Sequence, residues 1–288
     1  MTKIAIAGAS GMLGGTLLPR FMQAGMKATL LSTKTRPGYV AVDYHNQAQV
    51  NQALSASAPE VIVNLAAATN VDKCEADLIG AFSANVKPAI AIGEWIRKFS
   101  PRTKFVHVST DQVYNGTGPH VEESVAPINV YALTKYTAEA VTCATNSLIL
   151  RTNFFGKSSV ENRNSFTDWI FSELKKGNKI KAFQDILFSP LSMNTLCDSI
   201  IKLVTGNASG VYNLGAANGI SKADFILKFC AVCGLDRDLV EICDSHVLNL
   251  AAKRPKDMRM NSQKVISSYG LKLPTIENEI ESLKGDYQ

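Results

Sequence analysis

The chain has 288 residues, 46% hydrophobic and 19% charged, with a formal net charge of +5 and no biased tract, which describes a globular protein with core enough for two lobes. No stretch approaches the roughly twenty apolar residues that cross a bilayer, and the basic residues are dispersed without an aromatic-basic stripe, so neither a membrane nor a nucleic acid is expected as partner. Six scattered cysteines in such a chain read as reduced thiols, and with the too-short apolar run at Met1–Ala7 they give a cytoplasmic location as the expectation.

Strands alternate with helices along the first half. Lys3–Ala7 is a short β-rich run, Met12–Ala24 has helical periodicity and Lys27–Leu31 is apolar again. The alternation continues through Tyr39–Val42, Gln47–Ala56, Val61–Leu65, a helical pattern over Ala76–Phe99, Lys104–Val108, Tyr131–Thr145 and Ser147–Leu150. Continuous apolar strands such as Val61-Ile62-Val63 suit a sheet covered on both faces, so the fold class is α/β with a doubly wound, mostly parallel sheet. Beyond Asn153 the spacing predicts a helix over Phe166–Lys175, an irregular stretch to Pro190, a helix over Thr195–Val204, a strand over Gly210–Leu214 and then mostly helical patterns. This divides the chain into a dinucleotide-binding domain, residues 1–157 and 192–215, and a smaller substrate lobe, residues 158–191 and 216–288.

Gly8-Ala9-Ser10-Gly11-Met12-Leu13-Gly14 follows the first strand and opens the first helix. In that context Gly8 takes the tight turn, Gly11 lets the backbone approach a pyrophosphate, Gly14 lets helix and strand pack closely, and the helix amides face the phosphates. At the end of the second strand an acid would bond the ribose hydroxyls of NAD, but the chain reads Ser32-Thr33-Lys34-Thr35-Arg36, with Lys34 and Arg36 suited to the extra phosphate of NADPH. Asp43, with Tyr44 beside it, ends the third strand where the adenine edge would lie.

Tyr131 and Lys135 are four residues apart, on one face of a helix. An ammonium there is expected to draw the phenol below its reference pKa of about 10, making Tyr131 a proton donor to an oxygen that gains charge as hydride arrives. Thr110, just past the strand Lys104–Val108, is a second donor to that oxygen.

These residues, together with Asn64–Glu75, Ser109–Gly116, Pro127–Tyr131 and Arg254–Asp257, resemble the extended short-chain dehydrogenase/reductases of the dTDP-4-dehydrorhamnose reductase kind, over nearly the whole chain. The resemblance implies a Rossmann domain with a second lobe, an NADPH- or NADH-dependent reduction of the 4-keto group of a nucleotide-linked 6-deoxysugar, and the roles above for Thr110, Tyr131 and Lys135. It also implies cofactor contacts from Ala66, Ala67 and Ala68, and substrate contacts from Thr69, Val71, Asp111 and Asn153. Where related enzymes carry an indole after the sixth strand, Phe154 offers a stacking face. Dehydratases of the same superfamily have Thr-Asp-Glu, whereas this chain has Thr110-Asp111-Gln112, and glutamine cannot act as a general base. An epimerase and a non-catalytic NADP-binding regulatory subunit remain the alternatives, and a homodimer is left open.

Two further features have bland readings. Ala252–Arg259 places four cations in seven residues, and Arg254 is the first candidate to grip a substrate pyrophosphate. Cys230-Ala231-Val232-Cys233 falls late in an amphipathic helical run and reads as two half-buried cysteines. His246 and Cys243 give too few ligands for zinc, so no metal is expected.

Overall fold

The computed structural model of the chain describes residues 1–287. Its first half alternates as expected: β1 (Lys3–Ala7), α1 (Met12–Gln23), β2 (Lys27–Ser32), β3 (Tyr39–Ala41), α2 (Gln47–Ser57) and β4 (Val61–Asn64). There follow α3 (Val71–Ala76), α4 (Leu78–Asn85), α5 (Lys87–Phe99), β5 (Lys104–Val108), α6 (Val130–Thr142), β6 (Ser147–Thr152) and β7 (Phe154–Phe155). The second half carries α7 (Phe166–Lys175), β8 (Ile180–Phe183), β9 (Leu187–Phe188), β10 (Leu191–Ser192), α8 (Met193–Thr205) and β11 (Gly210–Leu214). It closes with β12 (Ile220–Ser221), α9 (Lys222–Cys233), β13 (Val240–Cys243), α10 (Gln263–Tyr269) and α11 (Ile276–Glu281).

Seven strands form one parallel sheet in the order β11-β6-β5-β4-β1-β2-β3. Side chains alternate across it: Ile4 and Ile6 of β1 join a core with Leu17, Phe21 and Ile200 of α1 and α8, while Ala5 and Ala7 join a second core with Leu54, Ile92 and Trp95 of α2 and α5. Burial on both faces explains why the strands read as unbroken apolar runs. The winding direction reverses between β1 and β4, so the loops after these two strands part and leave a crevice at their carboxyl ends. This is the doubly wound, Rossmann-type sheet that the strand pattern predicts.

Three local readings are corrected. The pattern over Ala76–Phe99 is broken into α4 and α5, with α3 before them, rather than forming one helix. Asp77 caps α4 by accepting the Gly80 N–H at 2.8 Å, and Pro88, in the first turn of α5, has no N–H to continue a helix from α4. The stretch to Pro190 is not irregular but contains β8 and β9, whereas beyond Leu214 the regular structure is mostly helical as expected, with β12 and β13 as its strands. There β12 pairs with β9 and the β-branched run of β13 pairs with β8, giving two small sheets that sequence-local periodicity is too short to reveal. Finally, Cys230 is fully buried in α9 and Cys233 largely so, rather than half-buried, and burial pushes both thiols up to about 11, which makes them poor nucleophiles. Among the described residues no helix is long and apolar enough to cross a membrane.

Candidate active site

The turn from β1 into α1 is built for close approach. Gly8 has φ +77°, and a Cβ there would lie 2.6 Å from the Ala66 backbone nitrogen; a Cβ on Gly14 would lie 2.5 Å from the Ala9 carbonyl oxygen. Gly11 stands at the N-cap of α1 and offers no side chain to the first-turn amides, which therefore face the crevice as free donors. Two cavities meet at this loop. The outer, about 380 Å³, has Ser32, Thr33, Asp43 and Tyr44 in its wall; the inner, about 140 Å³, has Thr69, Tyr131, Lys135 and Phe154. Gly8, Gly11, Leu65 and Ala67 belong to both. The buried Tyr44 hydroxyl has no partner among the described residues, an orphaned donor of the kind that a bound ligand satisfies.

Placement of the other expected residues is uneven. Ser10 and Ala66 line the outer cavity; Met12, Leu13 and Gly14 line the inner one. Lys34 and Arg36 are exposed on the β2–β3 loop just beyond the outer wall. Ala68, Val71, Thr110, Asp111 and Asn153 lie outside both cavity walls. Arg254 is held by Asp72, with Nη2 at 2.6 Å from Oδ2, and its Nη1 donates to the Ala252 carbonyl at 2.9 Å. The Ala252 amide and Arg254 together keep the Asp72 carboxyl below its usual range, so any phosphate at Arg254 would share the guanidinium with a carboxylate.

Helix α6 presents the reacting pair. Asn129 caps it, accepting from the Ala132 N–H at 2.8 Å and donating to the Lys253 carbonyl at 3.0 Å, which ties the helix start to the segment between β13 and α10. Asn85, at the end of α4, donates to Thr134 Oγ1 at 2.8 Å and accepts from the Ala68 N–H at 2.7 Å, fixing α6 against the loop after β4. On this support Tyr131 and Lys135 both face the inner cavity, one turn apart.

The electrostatics correct one expectation. Burial pushes the Tyr131 phenol above its ordinary value, only partly offset by a hydrogen bond with Thr110, rather than the ammonium drawing it down. The reason is that Lys135 is engaged elsewhere: its Nζ donates to the Val108 carbonyl at 2.7 Å and lies 3.4 Å from His107 Nε2. The lysine itself is lowered to about 8, because burial of its charge outweighs the support of Glu139. His107 is neutral, held well below its usual value by burial and by Lys135. Asn64 accepts the Ala66 N–H on Oδ1 at 3.1 Å, so its Nδ2 is the donor to His107 Nδ1 at 3.1 Å. The imidazole proton therefore sits on Nε2, toward Lys135, where it does nothing to favour the ammonium.

Beside this pair, Thr110 Oγ1 accepts from the Gln112 N–H at 3.2 Å and points to Asp111 Oδ1 at 3.3 Å. Asp111 is pushed up to about 6 by burial, against a hydrogen bond from Asn153 Nδ2 at 2.7 Å and the charge of Lys222. Among the described residues no group of three or more His, Cys, Asp or Glu side chains is placed to hold a metal ion. The sequence reading missed Asn64, Asn85 and His107. Their available signal was a polar residue inside an otherwise apolar element, as in Phe105-Val106-His107-Val108.

A family model described as the RmlD substrate binding domain matches residues 1–288. The chain belongs to this family, within the extended short-chain dehydrogenase/reductases. The chain is 26% identical to the probable low-salt glycan biosynthesis reductase Agl14 of Haloferax volcanii, over 98% of this chain and 97% of that protein. It is 28% identical to the dTDP-4-dehydrorhamnose reductase of Escherichia coli K12, over 81% of each. A crystal structure of dTDP-4-dehydrorhamnose reductase from Bacillus anthracis, in complex with NADP, superposes with a TM-score of 0.89 at 24% identity, covering 99% of this chain and 100% of that one, and so shares its fold.

Proposed function

We propose that this chain is an NADPH-dependent reductase that converts the 4-keto group of a nucleotide-linked 6-deoxysugar to an alcohol. The observation that carries the reading is the junction of the two cavities: the Tyr131–Lys135 pair opens onto the same space as the glycine loop. The residues fit a dinucleotide: the Gly8 and Gly14 positions have no room for a Cβ, the α1 amides are unsatisfied and the Tyr44 hydroxyl is orphaned. A dTDP-4-dehydrorhamnose reductase of the same fold is crystallised with NADP, and Lys34 and Arg36 supply charge for a 2′-phosphate. The substrate lobe of residues 158–191 and 216–288, the cytoplasmic location and a homodimer belong to the same proposal.

When bound, the nicotinamide coenzyme supplies the hydride. The protein supplies the proton and the position. Tyr131, kept protonated by its raised pKa, donates its phenolic proton to the carbonyl oxygen as that oxygen gains charge, and Thr110 donates a second hydrogen bond to it. Lys135, tethered by Val108, places its ammonium in the wall of the inner cavity as a donor for the ribose of the coenzyme. Gln112 places no carboxylate next to Asp111, so the site lacks the acid pair that elimination would need.

Following NADPH absorbance with a panel of 4-keto-6-deoxy sugar nucleotides is expected to show oxidation, with NADPH preferred to NADH. Consumption of neither coenzyme by any member of the panel would refute the reductase. The pH profile adds an independent check. Because the Lys135 ammonium loses its proton as pH rises through about 8, kcat/KM is expected to fall on the alkaline side with a midpoint near that value. An alkaline limb that appears only where free lysine titrates, at about 10.4, would contradict the assigned burial of Lys135.

A further inference from the structure

We propose that Arg163, outside every motif of the sequence, is a clamp for the diphosphate of the bound dinucleotide, closing the crevice from the side opposite the glycine loop. Of the residues common to both cavities, Gly8, Gly11, Leu65 and Ala67 come from the β1 and β4 loops, whereas Arg163 comes from the segment between β7 and α7. The inner and outer cavities meet where the diphosphate of an extended dinucleotide must pass if the adenosine lies by Ser32 and Asp43 and the reactive ring by Tyr131. Arg163 is the charged side chain at that junction.

The loop is held in place at both ends. Ser165 and Asp168 form a reciprocal cap at the start of α7, and Asp168 Oδ2 also accepts the Ser158 N–H at 3.0 Å. Between them Ser158 Oγ donates to the Val160 carbonyl at 3.1 Å, Asn162 takes a left-handed φ of +58°, and the Arg163 N–H returns to the Val160 carbonyl at 3.3 Å. Ser159 and Val160 lean on α1, so closely that a Cβ on Gly15 would lie 2.7 Å from Val160 Cγ2. The turn thereby carries Arg163 across the N-terminal end of α1. Arg151, Arg254 and Arg259 each hold a carboxylate, whereas the exposed Arg163 has no hydrogen-bond or ion-pair partner for its guanidinium among the described residues. A planar guanidinium left free beside unsatisfied helix amides matches two adjacent phosphates, which amides can grip from one side and arginine from the other.

The inference rests on the dinucleotide reading above. Calorimetric titration of the whole protein with NADP⁺, with adenosine 2′-monophosphate and with dTDP separates the two. Wild type is expected to bind NADP⁺; failure to do so would overturn the dinucleotide reading and the clamp with it. Arg163→Met is expected to weaken NADP⁺ binding about tenfold or more, and Arg163→Lys by less, as a lost charge-assisted contact requires. Adenosine 2′-monophosphate, which has no diphosphate, should bind wild type and Arg163→Met alike, and an unchanged melting temperature would show that the exposed substitution leaves the fold intact. Equal NADP⁺ affinity of wild type and Arg163→Met would overturn the clamp while leaving the dinucleotide reading standing. A loss confined to dTDP would overturn it too, by moving Arg163 to the diphosphate of the sugar nucleotide.

Discussion

Tyr131→Phe is expected to lower kcat by about 10²- to 10⁴-fold, the range that removal of a positioned general acid produces, with NADP⁺ binding unchanged. The ring of Tyr131 packs with Val71, Cys74, Ala81 and Ala252, and phenylalanine keeps that packing. Only the hydroxyl is lost, and with it the proton that the carbonyl oxygen would take. Lys135, one turn away, is tied to Val108 with a buried neutral imidazole behind it, and so is not free to take over the proton transfer. Stopped-flow or steady-state NADPH oxidation measures the rate and calorimetry the binding. A Phe variant with wild-type turnover would remove Tyr131 from the mechanism, whatever the fate of the family assignment.

Arg151→Met is expected to destabilise the fold by about 3–5 kcal/mol, the cost of leaving one member of a buried ion pair alone. Arg151 on β6 and Glu139 on α6 have side chains only 4% and 2% exposed, paired through Nη2 and Oε2 at 2.7 Å, with Nε 3.1 Å from both carboxylate oxygens. Nη1 reaches the Tyr114 hydroxyl at 2.9 Å, and the Ser109 hydroxyl donates to Glu139. Removal of the guanidinium strands a carboxylate within the sheet–helix interface, at the helix that carries Tyr131 and Lys135 and next to Thr110. The double variant Arg151→Met/Glu139→Leu is expected to recover most of the loss, since replacing both charges by apolar groups removes the desolvation cost instead of exposing it. Urea unfolding of the three proteins measures this; a single-variant loss below about 1 kcal/mol, the value of an exposed pair, would show that the network does not lock α6 to the sheet.

The features legible in consecutive residues follow from local sterics and short-range periodicity. The strand-glycine-helix order at residues 3–24, the alternation that builds the sheet, and the placement of Tyr131 and Lys135 on one helical face all depend on neighbours within a turn or two, so they are written in consecutive residues. Asp77 and Pro88 were equally local signals, and the break between α4 and α5 could have been read from them. Other features depend on partners that meet only when the chain is folded. Arg254 finds Asp72 across 182 positions of sequence, and Asn64 finds His107 across 43. The two-residue strands β9 and β12 exist because they meet, not because either run is strand-like alone. The same holds for acidity: whether a lysine beside Tyr131 lowers the phenol depends on what else that lysine touches and on how much water remains. The folded chain decided both, through the Val108 carbonyl and through burial, because desolvation and charge pairing are properties of the surrounding volume rather than of the neighbouring residues in sequence.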